Sequence, residues 1–388
     1  MNINNIKNWP NFDEDEINKV VEVLRSGKIN QWTGQEVTQF ENEYSAYLGV
    51  EHAIALANGS VALDLALAVL GIGPGDEIIV TPRSFVASAS CIALRGAIPI
   101  FVDVDQDTQN ITLDSVKKAV TASTKVIIAV HLAGWPCELE ELRQFCDDNH
   151  LFLVEDCAQA HGARYNGKPV GSFGDISVFS FCQDKIITTG GEGGLLVTSN
   201  KMIWEKAWSY KDHGKDYGRI FNKPNEVGFQ WVVESFGTNY RLTEVQAAIG
   251  RIQLRKLSSW VDKRRKFAQM LNDAFCDSPV FRVTIPSDKY FHAYYRYYVF
   301  VRPENLKQSW SRNRIIKELV EVGIPCNSGS CPEVYMEAPF KRFCKERLAI
   351  AKELGETSIA LLVHPTLEED DINCVIGIVK DILNNATK

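Results

Sequence analysis

Between residues 53 and 155 the chain alternates short, almost wholly apolar runs with longer amphipathic ones. The runs at 53–57, 77–81, 98–104, 126–131 and 151–155 have strand length and lack polar alternation, as strands buried on both faces do. Those at 60–70, 84–94, 113–120 and 138–150 carry helical spacing; in the last, Leu139, Leu142, Phe145 and Cys146 share one side. This order predicts an α/β fold, a mostly parallel sheet wrapped by helices. Ahead of it, "NFDEDEINKVVEVLRSG" predicts an amphipathic helix opened by acids, with Ile17, Val20, Val21 and Leu24 on one face and an end near Gly27. Strands at 176–181 and 195–198 follow, around a glycine-rich loop. Then come a polar, aromatic loop region at 210–240 and a long helix at 243–274 with Arg and Lys on its outer face. "HAYYRYYVFV" at 292–301 predicts a strand. A closing helix at 371–383 aligns Ile372, Val375, Ile376, Val379 and Leu383. The expected division is a large unit at 1–250 and a smaller α/β unit at 251–388.

Composition narrows the function classes. The 388 residues, 45% apolar and 23% charged, are those of an ordinary globular enzyme. A net charge of −7 disfavours a broad nucleic-acid surface. The start, residues 1–10, is polar and carries no apolar signal segment, and the apolar helix at 62–72 is too short to span a bilayer. The expectation is a cytoplasmic protein with no membrane or nucleic-acid partner. The ten cysteines form no CxxC pair, which predicts reduced, mostly buried thiols and neither a disulfide framework nor a metal site.

Three places carry candidate chemistry. Asp156 lies just past a buried parallel strand, where open α/β sheets bind ligands, and a carboxylate there can hold a positive ring nitrogen. Taken alone, it reads sooner as a helix cap or a turn residue. Lys185, in "SFCQDKIITTGGEGG", follows another strand; buried, it would have a lowered pKa and act as a nucleophilic amine. The glycines at 190, 191, 193 and 194 imply a tight turn or a close approach. Asn58-Gly59-Ser60 joins a strand to a helix start, which is an anion site or simply a cap. "GIGPG" at 71–75 follows a helix and precedes a strand, the reverse of a dinucleotide fingerprint.

Together these blocks are recognisable. The chain resembles the DegT/DnrJ/EryC1/StrS family of sugar aminotransferases along nearly its whole length. The resemblance runs from "ANGSVALDLAL" through "GDEIIVTPRSFVASA", "VEDCAQAHGA" and "GSFGDISVFSFCQDK" to "FGTNYRLTEVQAAIGRIQL" and "HPTL". It implies fold type I, with a seven-stranded sheet and a smaller C-terminal α/β domain. It also implies pyridoxal 5'-phosphate as cofactor, with the pyridoxamine form as carrier of the amino group. Lys185 then matches the Schiff-base lysine and Asp156 the acid on the pyridinium nitrogen. Gln159 matches the side chain on the phenolic oxygen, and Phe85 the ring stacked on the pyridine. Gly59, Ser60 and Ser180 match the phosphate cradle. Asn239 matches an asparagine that reaches the phosphate from the neighbouring subunit, which implies a homodimer with shared active sites. His213 matches a loop beside the partner's site. Read from the residues alone, Lys211 and Lys215 in "YKDHGK" are candidates for the substrate diphosphate, and a solvated basic loop accounts for them equally well. L-glutamate is the implied donor and a nucleotide-linked keto sugar the acceptor, in amino-sugar and surface-polysaccharide biosynthesis.

The chain departs from the family pattern in two ways. The loop after Lys185 is one residue longer before Glu192, and Cys182 stands where His is frequent. Cys182 reads as a small buried filler. With "WSYKDHGK" and "GIPCNSGSCPEVY", these features resemble enzymes aminating C4 of UDP-linked 4-keto-6-deoxy N-acetylated sugars. Amination at C3 of a dTDP-linked sugar, or of a cyclitol, stays open. Relatives that dehydrate at C3 carry His at the lysine position, which Lys185 argues against. A non-catalytic binding protein should lack Lys185 or Asp156.

Overall fold

The structure is a computed structural model that describes residues 8–222 and 229–388. In chain order the strands are β1 (His52–Leu56), β2 (Glu77–Val80), β3 (Ile98–Phe101), β4 (Thr124–Val130), β5 (Phe152–Asp156), β6 (Arg164–Tyr165), β7 (Lys168–Pro169), β8 (Ile176–Ser180), β9 (Gly194–Thr198), β10 (Phe281–Val283), β11 (Tyr290–Phe291), β12 (Tyr297–Val301), β13 (Cys326–Asn327) and β14 (Ser358–Leu361). The helices are α1 (Glu14–Ser26), α2 (Glu36–Leu48), α3 (Gly59–Val69), α4 (Ala87–Leu94), α5 (Leu113–Lys117), α6 (Leu139–Asp148), α7 (Lys201–Lys211), α8 (Tyr217–Phe221), α9 (Glu244–Phe275), α10 (Arg312–Glu321), α11 (Ala349–Thr357) and α12 (Glu369–Ala386).

Seven strands form the main sheet in the order β1-β9-β8-β5-β4-β2-β3. Only β9 runs against the others, since it pairs antiparallel with both β1 and β8. The apolar strands have a simple cause. Alternate residues face opposite sides, and both sides are covered. Ile54, Ile78, Ile128 and Val178 enter one core, while Ala55, Ile79, Ile127 and Phe179 enter the other. A second sheet, β10-β12-β14-β13, has its own core. Helix α9 joins the two. Thr243 and Gln246 close a capping box at its start, and it runs unbroken through residue 250. It gives Leu257 and Val261 to the first core and Phe267, Leu271 and Phe275 to that of the second sheet.

The structure corrects several expectations. Helix α1 buries Glu16 and Val23, while Ile17 and Leu24 of the expected inner face stay exposed. The reason is electrostatic: Lys256 of α9 holds Asp13, Asp15 and Glu16, which draws Glu16 inward while Asp13 and Asp15 stay exposed. Of the strand expected at 292–301 only β12 forms. Tyr294 takes a positive φ of 47°, and Ala293 and Tyr295 donate to the carbonyls of Gly134 and Ala133 instead. The aromatic loop region contains the helix α8, and its residues 223–228, like residues 1–7, lie outside those described. Arg264 of α9, expected on the outer face, is buried. All ten cysteines are unpaired, but only Cys91, Cys137, Cys146 and Cys157 are fully buried.

Candidate active site

A cavity of about 720 Å³ opens at the carboxyl ends of the parallel strands, a volume suited to a small organic ligand. Asp156 ends β5, Ser180 ends β8, and the turn after β1 starts α3 at Gly59. Gly59, Ser60, Phe85, Asp156, Gln159, Ser180 and Lys185 all line this cavity.

The floor is Asp156, 4% exposed. Ser88 Oγ donates to its Oδ2 at 2.7 Å and the Ala158 N–H to its Oδ1 at 3.1 Å. Burial pushes this carboxyl above its usual range, against the pull of those two donors and of nearby His131 and Lys185. Its hydrogen-bond partners are a hydroxyl and an amide, so a cation delivered into the cavity would find an anion held ready. Gln159 is fixed from behind, with its Oε1 accepting the Ala133 N–H at 2.8 Å.

An anion cradle sits across the cavity. The Asn58 side chain caps α3 through the Val61 N–H at 2.9 Å and leaves the Gly59 and Ser60 N–H groups without intrahelical partners. Ser180 Oγ accepts the Cys182 N–H at 3.3 Å, so its own proton is free to donate. A Cβ on Gly59 would stand 2.7 Å from that of Ser180, so only glycine lets α3 meet the end of β8 this closely. Beneath them His161 Nε2 pairs with the Ser180 carbonyl at 2.8 Å and Nδ1 with the Tyr44 hydroxyl at 2.7 Å. Burial drives His161 down to about 3, so it is a neutral strut.

Lys185 stands on a loop pinned by buried Ile186 and Ile187 and by the Thr188 N–H, which donates to Gln253 of α9 at 2.8 Å. Trp9 Nε1 holds the Lys185 carbonyl at 2.8 Å. The amine faces Asp184 at 3.4 Å and lies 5.0 Å from the Tyr295 ring centre. Burial alone would lower its pKa, as expected from the sequence. Tyr295 and Asp184 outweigh burial and hold it above the ordinary lysine value. These protein groups by themselves therefore do not produce a low-pKa amine. The glycine loop does both things its composition implies. Gly190 and Gly191 turn with positive φ, while Gly193 and Gly194 press against Thr189 and the Asn58 carbonyl.

Three expected residues lie elsewhere. Asn239 is exposed, with its backbone bridged to Asp212. His213 is exposed at a positive φ of 61°. Lys211 is a correction. It ends α7, is fully buried, and donates to Gln31 Oε1 at 2.9 Å in a separate cavity lined by Trp32, Trp204 and Trp208. Cys182 also departs from expectation, since it is only half-buried and lines the main cavity. Sequence reasoning missed Ser88, Tyr295, Arg296 and Ser330 at the site. Only Ser88 left a trace, as one of two serines in an otherwise apolar helix.

The family model for DegT/DnrJ/EryC1/StrS aminotransferases matches residues 10–380. The chain belongs to that family. An aminotransferase of Psychrobacter cryohalolentis has an X-ray structure with a TM-score of 0.96 and 47% identity, over 98% of this chain and 99% of that one. The GDP-perosamine synthase of Escherichia coli O157:H7 is 34% identical over 363 residues, covering 94% of each chain. The dTDP-4-dehydro-2,3,6-trideoxy-D-glucose 4-aminotransferase of Saccharopolyspora spinosa is 32% identical over 372 residues, 94% of this chain and 93% of that one. The protein is thus a pyridoxal-phosphate-dependent sugar aminotransferase of fold type I. The cavity fits that cofactor by its donor set: a buried carboxylate for a ring nitrogen, an amide at Gln159, a lysine, and a helix N-terminus with two hydroxyls for a phosphate. No helix among the described residues is long and apolar enough to cross a membrane.

Proposed function

We propose that the enzyme transfers the amino group of L-glutamate to C4 of a nucleotide-linked 4-keto-6-deoxy sugar, with UDP-2-acetamido-2,6-dideoxy-hexos-4-ulose as the first candidate. The observation that carries the reading is the convergence of Asp156, Gln159, Ser60, Ser180, Phe85 and Lys185 on one cavity. Bound there, pyridoxal phosphate supplies an electron sink for the carbon that loses its proton. Asp156 holds a proton on the ring nitrogen and Gln159 orients the ring oxygen. Gly59, Ser60 and Ser180 bind the phosphate, and Phe85 covers the ring face. Lys185 Nζ takes the proton from the donor carbon and returns it on the other side of the transfer, as a general acid–base. Residues 1–250 then form the cofactor-binding unit and 251–388 the smaller one. Asn239 and His213, exposed in one chain, fit an assembly in which a second copy brings them to its partner's cavity. Support for C4 comes from the trideoxyglucose 4-aminotransferase. The nucleotide is argued from "SFCQDK", "WSYKDHGK" and "GIPCNSGSCPEVY" alone, while the relatives' names carry GDP and dTDP.

The test is spectroscopic. The holoenzyme is converted to its aminated form with glutamate. UDP-, dTDP- and GDP-linked 4-keto-6-deoxy sugars are then added in turn, and the visible absorbance of the cofactor is followed. Its return with the UDP-linked N-acetylated sugar alone supports the reading. Its return with GDP or dTDP sugars alone replaces the nucleotide. No return with any of them moves the acceptor to a 3-keto sugar or a cyclitol.

A further inference from the structure

Behind Lys185 lies a second chamber of about 240 Å³, lined by Trp9, Asp184, Arg264, Tyr295, Arg296, Pro325, Leu362, Val363 and His364 among others. Asp184, Tyr295 and Arg296 also line the main cavity, so the two adjoin. Its unusual member is Arg264. This guanidinium is 2% exposed, yet its Nε and Nη2 have no hydrogen-bond partner among the described residues. Nη1 lies 3.4 Å from the carbonyls of Tyr294 and Tyr295, and the guanidinium carbon lies 5.4 Å from the Trp9 ring centre, a cation–π contact that gives Nε and Nη2 no acceptor. A buried cation with two unmet donors is costly unless an anion meets it. Burial, with Arg296 adding to it, lowers the affinity of Arg264 for its proton, the strain an incoming anion would relieve.

The other groups in the chamber agree. Arg296 adds a second positive charge. Asp184 supplies a negative one but is already engaged by Lys185, the Tyr295 hydroxyl and, at 3.7 Å, by Arg296. His364 is held neutral by burial beside the two arginines, and its Nδ1 is taken by Thr366 at 2.7 Å. Pro325, Leu362 and Val363 form an apolar wall, suited to methylene groups. The chamber is too small for a nucleoside diphosphate, which the main cavity's size suits better.

We propose that this chamber is the carboxylate subsite for the amino donor. Arg264 would bind the distal carboxylate of a five-carbon dicarboxylic amino acid, with the apolar wall along its methylenes and the amino group reaching the Lys185 side. The inference rests on the glutamate reading above. It explains why a single cavity can serve a polar sugar and a small diacid in alternate halves of one reaction: each has its own end of the site.

The test uses the holoenzyme and glutarate, a diacid that carries no amino group and cannot react. Calorimetric titration compares wild type, Arg264→Met and Arg264→Lys, with inorganic pyrophosphate as a second probe. Losing one charge-assisted contact should weaken glutarate roughly ten- to hundredfold in Arg264→Met. Arg264→Lys should recover part of that loss, and pyrophosphate should bind all three alike. Unchanged glutarate affinity in Arg264→Met, no glutarate binding to wild type, or a loss confined to pyrophosphate would each overturn the proposal. Should Arg264→Met fail to fold, a crystal structure of the wild-type holoenzyme with glutarate decides. A carboxylate seated on Arg264 supports the subsite, and glutarate bound elsewhere refutes it. Glutarate on Arg264 in an enzyme inert towards every keto sugar would support the chamber while sinking the acceptor reading.

Discussion

Replacing Asp156 by Asn tests the central electrostatic argument. The change keeps size and shape. The Ala158 N–H can still donate to the remaining oxygen. Ser88, whose hydroxyl also contacts Ser84 Oγ at 2.9 Å, can turn to accept from the new amide. The fold should therefore survive. What disappears is a buried negative charge placed to meet a cationic ring. Breaking a buried pair by removing one partner costs about 3–5 kcal/mol. At about 1.4 kcal/mol per tenfold, that is roughly a hundred- to several-thousand-fold. The loss should be divided between cofactor affinity and the rate of the glutamate half-reaction. Titration of the apoenzyme with pyridoxal phosphate reads the first, and stopped-flow absorbance the second. A variant within about threefold of wild type in both would refute the assignment of Asp156, because the other carboxylates lining the cavity, Asp184 and Glu192, are not buried as Asp156 is, and Asp184 already faces Lys185.

Lys185→Ala should abolish turnover and shift the cofactor's absorbance to that of the free aldehyde while leaving the melting temperature near wild type, because its Nζ contacts Asp184 and Tyr295 rather than the core. Gly250→Ala should destabilise, although Ala normally favours a helix. The new Cβ would stand 2.8 Å from Phe40 Cζ and 2.9 Å from Thr189 Cγ2, so about 1–3 kcal/mol of overpacking should appear in denaturant unfolding, with lowered activity because Thr189 belongs to the Lys185 loop. Arg251→Met should cost about 1–3 kcal/mol, between an exposed and a buried ion pair, since Arg251 ties α9 to Glu36 at 2.6 Å and to Glu43. Burial alone would raise the Glu36 pKa, but Arg251 and Lys19 outweigh it, so the folded value lies below the ordinary 4.5. The stabilisation from this pair is then present above pH 4.5 and fades as pH falls through the lower folded value; unfolding followed against pH should show wild type converging on Arg251→Met under acid conditions.

The legible part of the fold had a local cause. Strands such as Ile78–Val80 in β2 and Leu153–Val154 in β5 are buried on both faces, so each residue had to be apolar. The glycine loop also read correctly, since Gly190 and Gly191 turn with positive φ while Gly193 and Gly194 stand at close approaches to Thr189 and the Asn58 carbonyl. Helix α1 did not, because its seating depends on Lys256, some 240 positions away in the chain. Nor did the stretch at 292–296, where hydrogen bonds to Ala133 and Gly134 override strand propensity.

The sequence by itself determined the alternating α/β frame, and through its ordered motifs pointed to Gly59, Ser60, Asp156, Ser180 and Lys185, which meet in one cavity because they lie at or just after strand ends whose position the hydrophobic pattern dictates. Only the tertiary structure decided what surrounds them. Ser88 reaches Asp156 across 68 positions, and Tyr295 and Arg296 enter the cavity from beyond α9. Arg264 looks like any surface arginine on a long helix until packing buries it. Burial, charge balance and unmet hydrogen bonds are properties of several segments at once, and no single segment carries them.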